Sequence, residues 1–203
     1  MIKLILFDLG GVIVRIPEEK YFKYLSKINR ASSFLAETII NRSVGPLESG
    51  RMSLSKFQAE MSREFGVPSN RIGWLSFFKK HAELDKNMIN LVKGLKSNYR
   101  VAFLSNVDKW RYDYMMEHIL DRVAYLFDYK FASFKLHTAK PSPLIYEKVL
   151  GAVRLKPYEV LFIDNNLENV IGARSVGMPA LQFSNIKNLR LDLKRFGIKL
   201  KAV

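Results

Sequence analysis

Three apolar segments of this sequence each stop at a polar residue, and this arrangement limits the possible folds more than any other feature. Short runs that are rich in β-branched and aromatic residues are typical of buried β-strands. The runs and the residues that follow them are residues 2–7 before Asp8, residues 100–104 before Ser105, and residues 159–163 before Asp164. A fourth run, residues 179–183, indicates a last strand.

Helical patterns separate these apolar runs. Residues 86–97 and residues 142–152 both place apolar side chains at helical spacing, and a further helix ends at Gly177, a residue type common just after helices. Strands that alternate with helices predict a parallel sheet covered by helices on both faces. The sequence therefore predicts an α/β fold with a Rossmann-like, doubly wound parallel sheet as its core.

The polar residues at the strand ends predict a functional site. In a parallel sheet of this kind, ligands bind beyond the carboxyl ends of the strands. The residues expected to meet there are Asp8, the pair Ser105-Asn106 and the pair Asp164-Asn165. Their convergence on one crevice is the strongest argument in the sequence for a site.

The long interval between the first and second strands, residues 16–85, is helical in character. Pro17 and the two glutamates after it are typical of a helix start, and a second helix begins near Ser53. An insert of this length is better interpreted as a helical cap than as a crossover connection. We therefore expect a core of residues 1–15 and 86–203 with a small α-helical cap of residues 16–85.

The composition excludes several classes of protein. The chain has no cysteine, which excludes disulfides, thiol catalysis and cysteine–zinc sites and is compatible with a reducing cytosol. Asp8 interrupts the apolar N-terminal run and no small-residue cleavage site follows, so this run does not match a secretory signal. No apolar stretch reaches the ~18 residues of a membrane-spanning helix. We expect a soluble, cytoplasmic protein without a membrane partner.

The net charge of +14 is the unusual bulk property of this chain. Such a charge attracts anions, including phosphorylated metabolites, nucleic acid and acidic surfaces. The basic residues are spread along the chain, and even the densest stretch, residues 187–201, has the composition of a solvated basic helix and strand. Nucleic-acid binding is therefore compatible with the charge but not favoured by it.

Four segments, in order along nearly the whole chain, together resemble one known family. They are residues 7–12, residues 104–106, Lys140-Pro141 with Ile145-Tyr146, and residues 162–169 with Gly172-Ala173 and Gly177-Met178. These segments resemble the four motifs of the haloacid dehalogenase-like hydrolases. Residues 48–53 with Phe57 are similar to the helical cap of its glucose-1-phosphatase-like branch.

The resemblance implies a phosphatase mechanism based on Asp8. In this interpretation Asp8 is the nucleophile, and a covalent aspartyl-phosphate divides the displacement into two easier steps. Lys140 offsets the negative charge of the transferring group. The groups expected to bind the phosphate are Lys140, Ser105, Asn106 and Gly11.

The resemblance also implies a magnesium ion beside the nucleophile. Its expected ligands are Asp8, the backbone carbonyl of Gly10 and the fourth motif, Asp164 and Asn165. Magnesium prefers such oxygen ligands and would bridge the enzyme to the phosphate. The carbonyl ligand depends on the shape of the loop, so a glycine can supply it.

Two positions depart from the family pattern. Gly10 stands where the phosphatases usually carry a second aspartate, which protonates the leaving group and is typically worth ~10²–10⁴ in rate. This change favours substrates with good leaving groups, such as sugar 1-phosphates. Asn165 stands where a second acid usually binds magnesium, so we expect weaker metal affinity.

The first hypothesis is therefore a slow phosphomonoester phosphatase that acts on a small phosphorylated metabolite. A second hypothesis is a catalytically degraded homologue that binds a ligand, nucleic acid or a protein partner. A third is a metal-independent 2-haloacid dehalogenase, because those enzymes also lack these acids. The third hypothesis requires a cap arginine that receives the halide, for which Arg42 and Arg51 are the candidates.

Overall fold

A five-stranded parallel sheet forms the centre of the molecule. The computed structural model describes residues 1–29 and 32–200, so residues 201–203 of the predicted core segment lie outside the described part. The strands are β1 (Leu4–Phe7), β2 (Val14–Arg15), β3 (Glu83–Leu84), β4 (Arg100–Ser105), β5 (Tyr129–Ala132), β6 (Val160–Asp164) and β7 (Ala180–Gln182). The large sheet has the order β5-β4-β1-β6-β7, and each neighbouring pair is parallel.

Helices occupy most of the remaining described residues. They are α1 (Glu18–Asn29), α2 (Ser33–Glu48), α3 (Leu54–Phe65), α4 (Trp74–His81), α5 (Lys86–Lys96), α6 (Lys109–Tyr114), α7 (Ser133–Leu136), α8 (Pro143–Val153), α9 (Leu167–Ser175) and α10 (Ile186–Arg195). A π-helical turn, Met115–Ile119, continues α6. None of the helices in the described ranges is both long enough and apolar enough to cross a membrane.

The central strand β1 shows why the sheet forms and how it positions the site. All four of its residues are fully buried, and alternate residues enter two different apolar clusters, one on each face of the sheet. Phe7 lies level with Phe103 of β4 and with Ile163 of β6. Because the three strands run in the same direction, the residues that follow these positions all leave the sheet at one edge.

The predicted strands and helices of the core are found, and the α/β fold class is confirmed. The helix predicted at residues 86–97 is α5, and the helix predicted at residues 142–152 is α8. The predicted ending at Gly177 is also correct, since this glycine follows α9 with a φ of 79°. Strand β5 was missed because three of its four residues are only half-buried, as suits its position at the sheet edge.

Helices α1 to α4 form a layer of their own between β2 and β3. Their apolar side chains, including those of Leu25, Phe57 and Met61, make a third cluster that is separate from the two clusters on the sheet. The antiparallel pair of β2 and β3 joins the beginning and the end of this layer. Helix α1 begins at Glu18 as predicted, and Ser53 caps α3 by accepting a hydrogen bond from the Lys56 amide.

Candidate active site

Asp8, Lys140 and Asp164 form a buried ion-pair network at the carboxyl edge of the sheet. The Lys140 Nζ lies 2.7 Å from Oδ1 of Asp8 and 2.6 Å from Oδ2 of Asp164. Asp8 follows β1 and Asp164 ends β6, while Lys140 comes from the loop before α8. The side chains of Lys140 and Asp164 are 1% and 0% exposed. Three separate parts of the chain thus meet at one point. The strand ends predict that Asp8 and Asp164 meet, and the family resemblance implies that Lys140 lies beside them.

The charges in this network do not balance. One ammonium group lies between two carboxylates, and little water reaches any of the three. Burial raises the pKa of Asp8 to about 7, with Lys140 opposing the rise and Asp164 adding to it. Burial alone would lower the pKa of Lys140, but the two carboxylates raise it and hold the ammonium in its charged form. The network therefore carries excess negative charge that a further cation would neutralise.

Asn106 holds the backbone of Lys140 in place. Its Nδ2 donates to the Lys140 carbonyl at 2.9 Å, and its Oδ1 accepts the Lys140 amide hydrogen bond at 2.9 Å. These two hydrogen bonds position Lys140. Asn106 also lines the cleft, and its predicted contact with phosphate stays a prediction. Ser105 lines the cleft above Asp8. Its predicted contact with phosphate stays a prediction.

The Asp164 carboxylate accepts hydrogen bonds from three protein donors. Its Oδ1 accepts a hydrogen bond from the Asn166 amide at 2.8 Å. Its Oδ2 accepts one from Nδ2 of Asn169 at 3.0 Å in addition to that from Lys140. These three donors use three of the about four acceptor positions of the carboxylate. The geometry favours Asp164 as a support for Lys140, and its predicted role as a metal ligand stays a prediction.

Asn165 faces both Asp8 and the loop that follows it. The end of its amide nearest them lies 3.3 Å from Oδ2 of Asp8 and 3.3 Å from the Gly10 carbonyl oxygen. With its nitrogen at that end, Asn165 would donate two long hydrogen bonds. With its oxygen there, three oxygen atoms would face one another across a small space. The second orientation is the one that a bound cation requires.

The residues present therefore fit a magnesium ion. Three oxygen donors and an excess negative charge match the preference of magnesium for a few protein oxygens plus phosphate and water. In the described ranges no three side chains of the His, Cys, Asp and Glu types are grouped to hold a metal. A cation at Asp8 would therefore depend on the Gly10 carbonyl and the Asn165 amide.

Gly11 leaves room for the Asn165 side chain because it has no Cβ atom. It has a φ of 81°, and a Cβ atom there would lie 2.7 Å from Nδ2 of Asn165. A larger residue would therefore displace Asn165. The Gly11 amide donates to the Val14 carbonyl at 2.8 Å. In this structure the Gly11 amide is therefore already hydrogen-bonded, and the contact of Gly11 with phosphate stays a prediction.

A cleft of about 250 Å³ lies above Asp8, between the sheet edge and the helical layer. Its floor contains Asp8, Lys140 and Ser105. Its opposite wall includes Glu18 of α1 together with Asn41 of α2. The helical layer thus supplies polar side chains to the same cavity as the buried ion-pair network.

Arg111 joins the sheet side of the cleft to the helical layer, and sequence reasoning missed it. Its Nε pairs with Asp108, and its Nη2 lies 2.8 Å from Oε1 of Glu48. Its guanidinium carbon lies 4.7 Å from the centre of the Trp74 ring. Its pair with Asp108 lies within the first turn of α6, whereas its pair with Glu48 joins two segments that are far apart in the sequence. The Glu48 side chain is only 14% exposed and needs a cationic partner, but its burial depends on the fold, so no local sequence pattern indicates Arg111.

The two arginines proposed from the sequence to receive a halide are wrongly placed for that role. Arg42 pairs with Glu64 at 3.1 Å and is 66% exposed. The Nε of Arg51 donates to the Ser49 hydroxyl, and Arg51 is exposed as well. Neither residue lines the cleft above Asp8. Arg42 points to solvent because the inner face of α2 is used for apolar packing, and Arg51 lies in the exposed loop between α2 and α3.

A carboxylate at the end of the central strand, paired with a buried lysine under a helical layer, is the arrangement expected of the α/β hydrolases that the sequence motifs resemble. The comparison with known families agrees with this class. The model of the haloacid dehalogenase-like hydrolase family matches residues 2–177. The chain therefore belongs to the haloacid dehalogenase-like (HAD) hydrolases, as its motifs predict.

Known relatives cover nearly the full chain. D-ribitol-5-phosphate phosphatase from Bacteroides thetaiotaomicron is 28% identical over 206 residues, which span 95% of this chain and 97% of the relative. A HAD-like family hydrolase from Porphyromonas gingivalis superimposes with a TM-score of 0.79 at 27% identity, over 97% of this chain and 98% of the other. A HAD family enzyme from B. thetaiotaomicron, solved with magnesium and inorganic phosphate, superimposes with a TM-score of 0.74 at 21% identity. The match covers 93% of this chain and 99% of the other.

Proposed function

We propose that this protein is a phosphomonoester hydrolase that acts through an aspartyl-phosphate on Asp8. The observation that carries the proposal is the Asp8 carboxylate at the floor of the cleft, 2.7 Å from the Lys140 ammonium. An oxygen of Asp8 would bond to phosphorus while the ester P–O bond breaks. Water would then attack the same phosphorus, releasing phosphate and restoring the carboxylate. Lys140 would offset the negative charge that develops on the transferring group.

Asp8, the Gly10 carbonyl and Asn165 would hold magnesium in this proposal. When bound there, the ion would add positive charge at the transferring phosphate and orient it. The excess negative charge of the network supports this assignment. The B. thetaiotaomicron enzyme that was solved with magnesium and phosphate supports it at the level of the family. The neutral amide of Asn165 makes the proposed site weaker than one built with a second acid.

Residues 16–85 would form the cap of this enzyme and select its substrate. A cleft of about 250 Å³ is at the small end of ligand sites, which favours a small phosphorylated metabolite. Asn41, Glu48 and Arg111 line the part of the cleft away from Asp8. Hydrogen-bonding groups in that position suit a hydroxyl-bearing leaving group, and one relative is a D-ribitol-5-phosphate phosphatase. We therefore propose sugar or alditol phosphates as the substrate class.

Hydrolysis of p-nitrophenyl phosphate by the purified protein, with magnesium titrated, tests the proposal. The nitrophenolate group leaves without protonation, so the absence of an acid at Gly10 should matter little for this substrate. We expect turnover that depends on magnesium and saturates at millimolar or higher concentration. No turnover at any magnesium concentration would overturn the phosphatase assignment.

Asn165→Asp is expected to lower the magnesium concentration needed for half-maximal activity by about tenfold. The change replaces a neutral ligand by a charged one, and ligand charge is a main determinant of metal affinity. A titration of p-nitrophenyl phosphate hydrolysis with magnesium measures the effect. Without metal, the variant should be less stable than the wild type. It adds a third carboxylate to the network of Asp8 and Asp164, at about 3.3 Å from Oδ2 of Asp8.

Asn166→Asp is the matched control for this experiment. It adds the same charge one residue further along, at the cap of α9, where aspartate is as good a capping residue as asparagine. Its side chain accepts the Glu168 amide hydrogen bond and makes no contact with Asp8 or Gly10 in the described part of the chain. An equal shift in both variants would mean that bulk charge, and not ligation by residue 165, determines the affinity.

Asn41→Ala is expected to raise KM for an alditol phosphate by about fivefold to tenfold. The change removes one hydrogen bond to a substrate hydroxyl, and such a bond is worth about 1 kcal/mol. The KM for p-nitrophenyl phosphate, which has no hydroxyl groups, should change by less than about twofold. Thr38→Ala is the control, because Thr38 lies one turn earlier on α2, is exposed and does not line the cleft. Equal effects on both substrates would contradict the proposed substrate class.

A further inference from the structure

Hydrolysis of an alkyl phosphate requires a group that moves protons, and this cleft has no such group next to the nucleophile. The leaving alkoxide must receive a proton, and the attacking water must lose one. Leu9 and Gly10, which follow Asp8, have no titratable side chain. A proton-transfer group for such substrates must therefore come from elsewhere in the cleft.

The carboxylates that line the cleft are Asp8, Asp164, Glu48 and Glu18. Asp8 and Asp164 are paired with Lys140, and Glu48 is paired with Arg111. Within residues 1–29 and 32–200, the Glu18 carboxylate makes no hydrogen bond or ion pair. Lys140 is a poor proton donor, because its two carboxylate partners raise its pKa. Glu18 is therefore the side chain in this cleft that is left to transfer protons.

The path of the chain places Glu18 near the position where Gly10 lacks a side chain. A Cβ atom on Gly10 would lie 3.3 Å from Cδ1 of Ile16, so Ile16 covers this glycine. The Glu18 amide donates to the Ile16 carbonyl at 2.9 Å, and this tight turn leads directly into α1. Glu18 thus lines the same cleft as Asp8, from the side of the helical layer, and lies at its solvent-exposed rim.

We propose that Glu18 is the general acid and base of this enzyme, in place of the side chain that Gly10 lacks. The protonated carboxyl group gives its proton to the leaving oxygen while the ester P–O bond breaks. The resulting carboxylate then takes a proton from the water that attacks the aspartyl-phosphate. The two transfers return Glu18 to its starting state. This inference rests on the phosphatase function proposed above.

The surroundings of Glu18 favour its protonated form more than water does. Although Glu18 lies at the exposed rim, partial desolvation by the walls of the cleft raises its pKa, Arg111 lowers it, and Glu37 of α2 raises it. Glu48, the last residue of α2, is a further acidic neighbour of Glu18. A glutamate with a raised pKa is a better acid–base catalyst near neutral pH than an ordinary one.

The test is the leaving-group dependence of kcat/KM for wild type and Glu18→Gln, measured with aryl phosphates of increasing phenol pKa and one alkyl phosphate. An acid catalyst matters most when the leaving group is poor. We expect Glu18→Gln to lose about threefold with p-nitrophenyl phosphate and about 10²-fold or more with phenyl and alkyl phosphates. The fall in kcat/KM at high pH, which reports loss of the acid's proton, should disappear for the alkyl substrate.

Glu19→Gln is the matched control. Glu19 is the next residue in the first turn of α1, is exposed, and does not line the cleft. This variant should keep the leaving-group dependence of the wild type. An equal loss with every substrate in Glu18→Gln, with an unchanged pH profile, would assign Glu18 to substrate binding and overturn the inference. If the wild type hydrolyses no substrate in the series, the phosphatase proposal itself fails.

Discussion

Asp8→Asn is expected to abolish hydrolysis of p-nitrophenyl phosphate and to leave the fold at least as stable as the wild type. The amide cannot attack phosphorus, and removal of a covalent nucleophile costs on the order of 10⁴-fold or more in kcat. The stability should not fall, because Lys140 then faces one carboxylate instead of two. Turnover and the midpoint of thermal unfolding, both measured on the same preparation, check the two parts.

The stability of the metal-free protein should also depend on pH through Asp8. Burial raises the pKa of Asp8 to about 7 from an ordinary value of 3.8. A raised pKa means that the native state holds its proton more strongly than the unfolded chain does. In metal-free protein the wild type should therefore lose stability as the pH rises from about 4 to about 7. Asp8→Asn should lose less over this interval, because asparagine does not titrate.

Asp121→Asn, an exposed aspartate beyond α6, is the control for both measurements. It should keep full activity and the wild-type pH dependence of unfolding. Residual hydrolysis in Asp8→Asn at more than about one part in 10³ would show that another group is the nucleophile. A large drop in its thermal midpoint would contradict the charge imbalance inferred for the network.

The core of the fold follows from local patterns, which is why the sequence predicts it well. Strand β1 is apolar throughout because both of its faces are covered, and Asp8 stands out directly after it. The parallel register then brings Asp164 to the same edge of the sheet. Position in the sheet was enough to predict that these two acids meet, whereas the place of Lys140 beside them was expected only from the family resemblance. Strand β5, which lies at the sheet edge and is half-buried, carries no comparable pattern.

The roles of individual polar side chains could not be predicted in this way. The sequence indicates that Asn106 lies at the site, but it does not show that the Asn106 side chain makes two hydrogen bonds to the Lys140 backbone. Which face of a helix lines the cleft depends on how the helical layer packs on the sheet. For this reason Arg42 and Arg51 were plausible from the sequence, while Arg111 and Glu18 emerged only from the structure.

Lys140→Met is expected to cause the largest loss of stability of any single change at the site. It leaves Asp8 and Asp164 without a positive partner, at positions that are 10% and 0% exposed. Breaking a buried ion pair by removing one partner typically costs about 3–5 kcal/mol. Urea unfolding in the presence of a metal chelator measures this loss, because magnesium would replace part of the missing charge. Lys148→Met, which changes an exposed lysine of α8, should cost less than about 1 kcal/mol.

A second substitution separates the charge effect from the loss of packing. In the double variant Lys140→Met/Asp164→Asn, one buried carboxylate remains instead of two, and the amide oxygen can still accept the Asn166 amide hydrogen bond. If unpaired charge causes the loss, the double variant should be more stable than Lys140→Met alone, by about 1–3 kcal/mol. Magnesium should also stabilise Lys140→Met more than it stabilises the wild type. If the double variant is less stable than Lys140→Met, the lysine stabilises the fold through its packing. The excess negative charge inferred for the network would then be wrong.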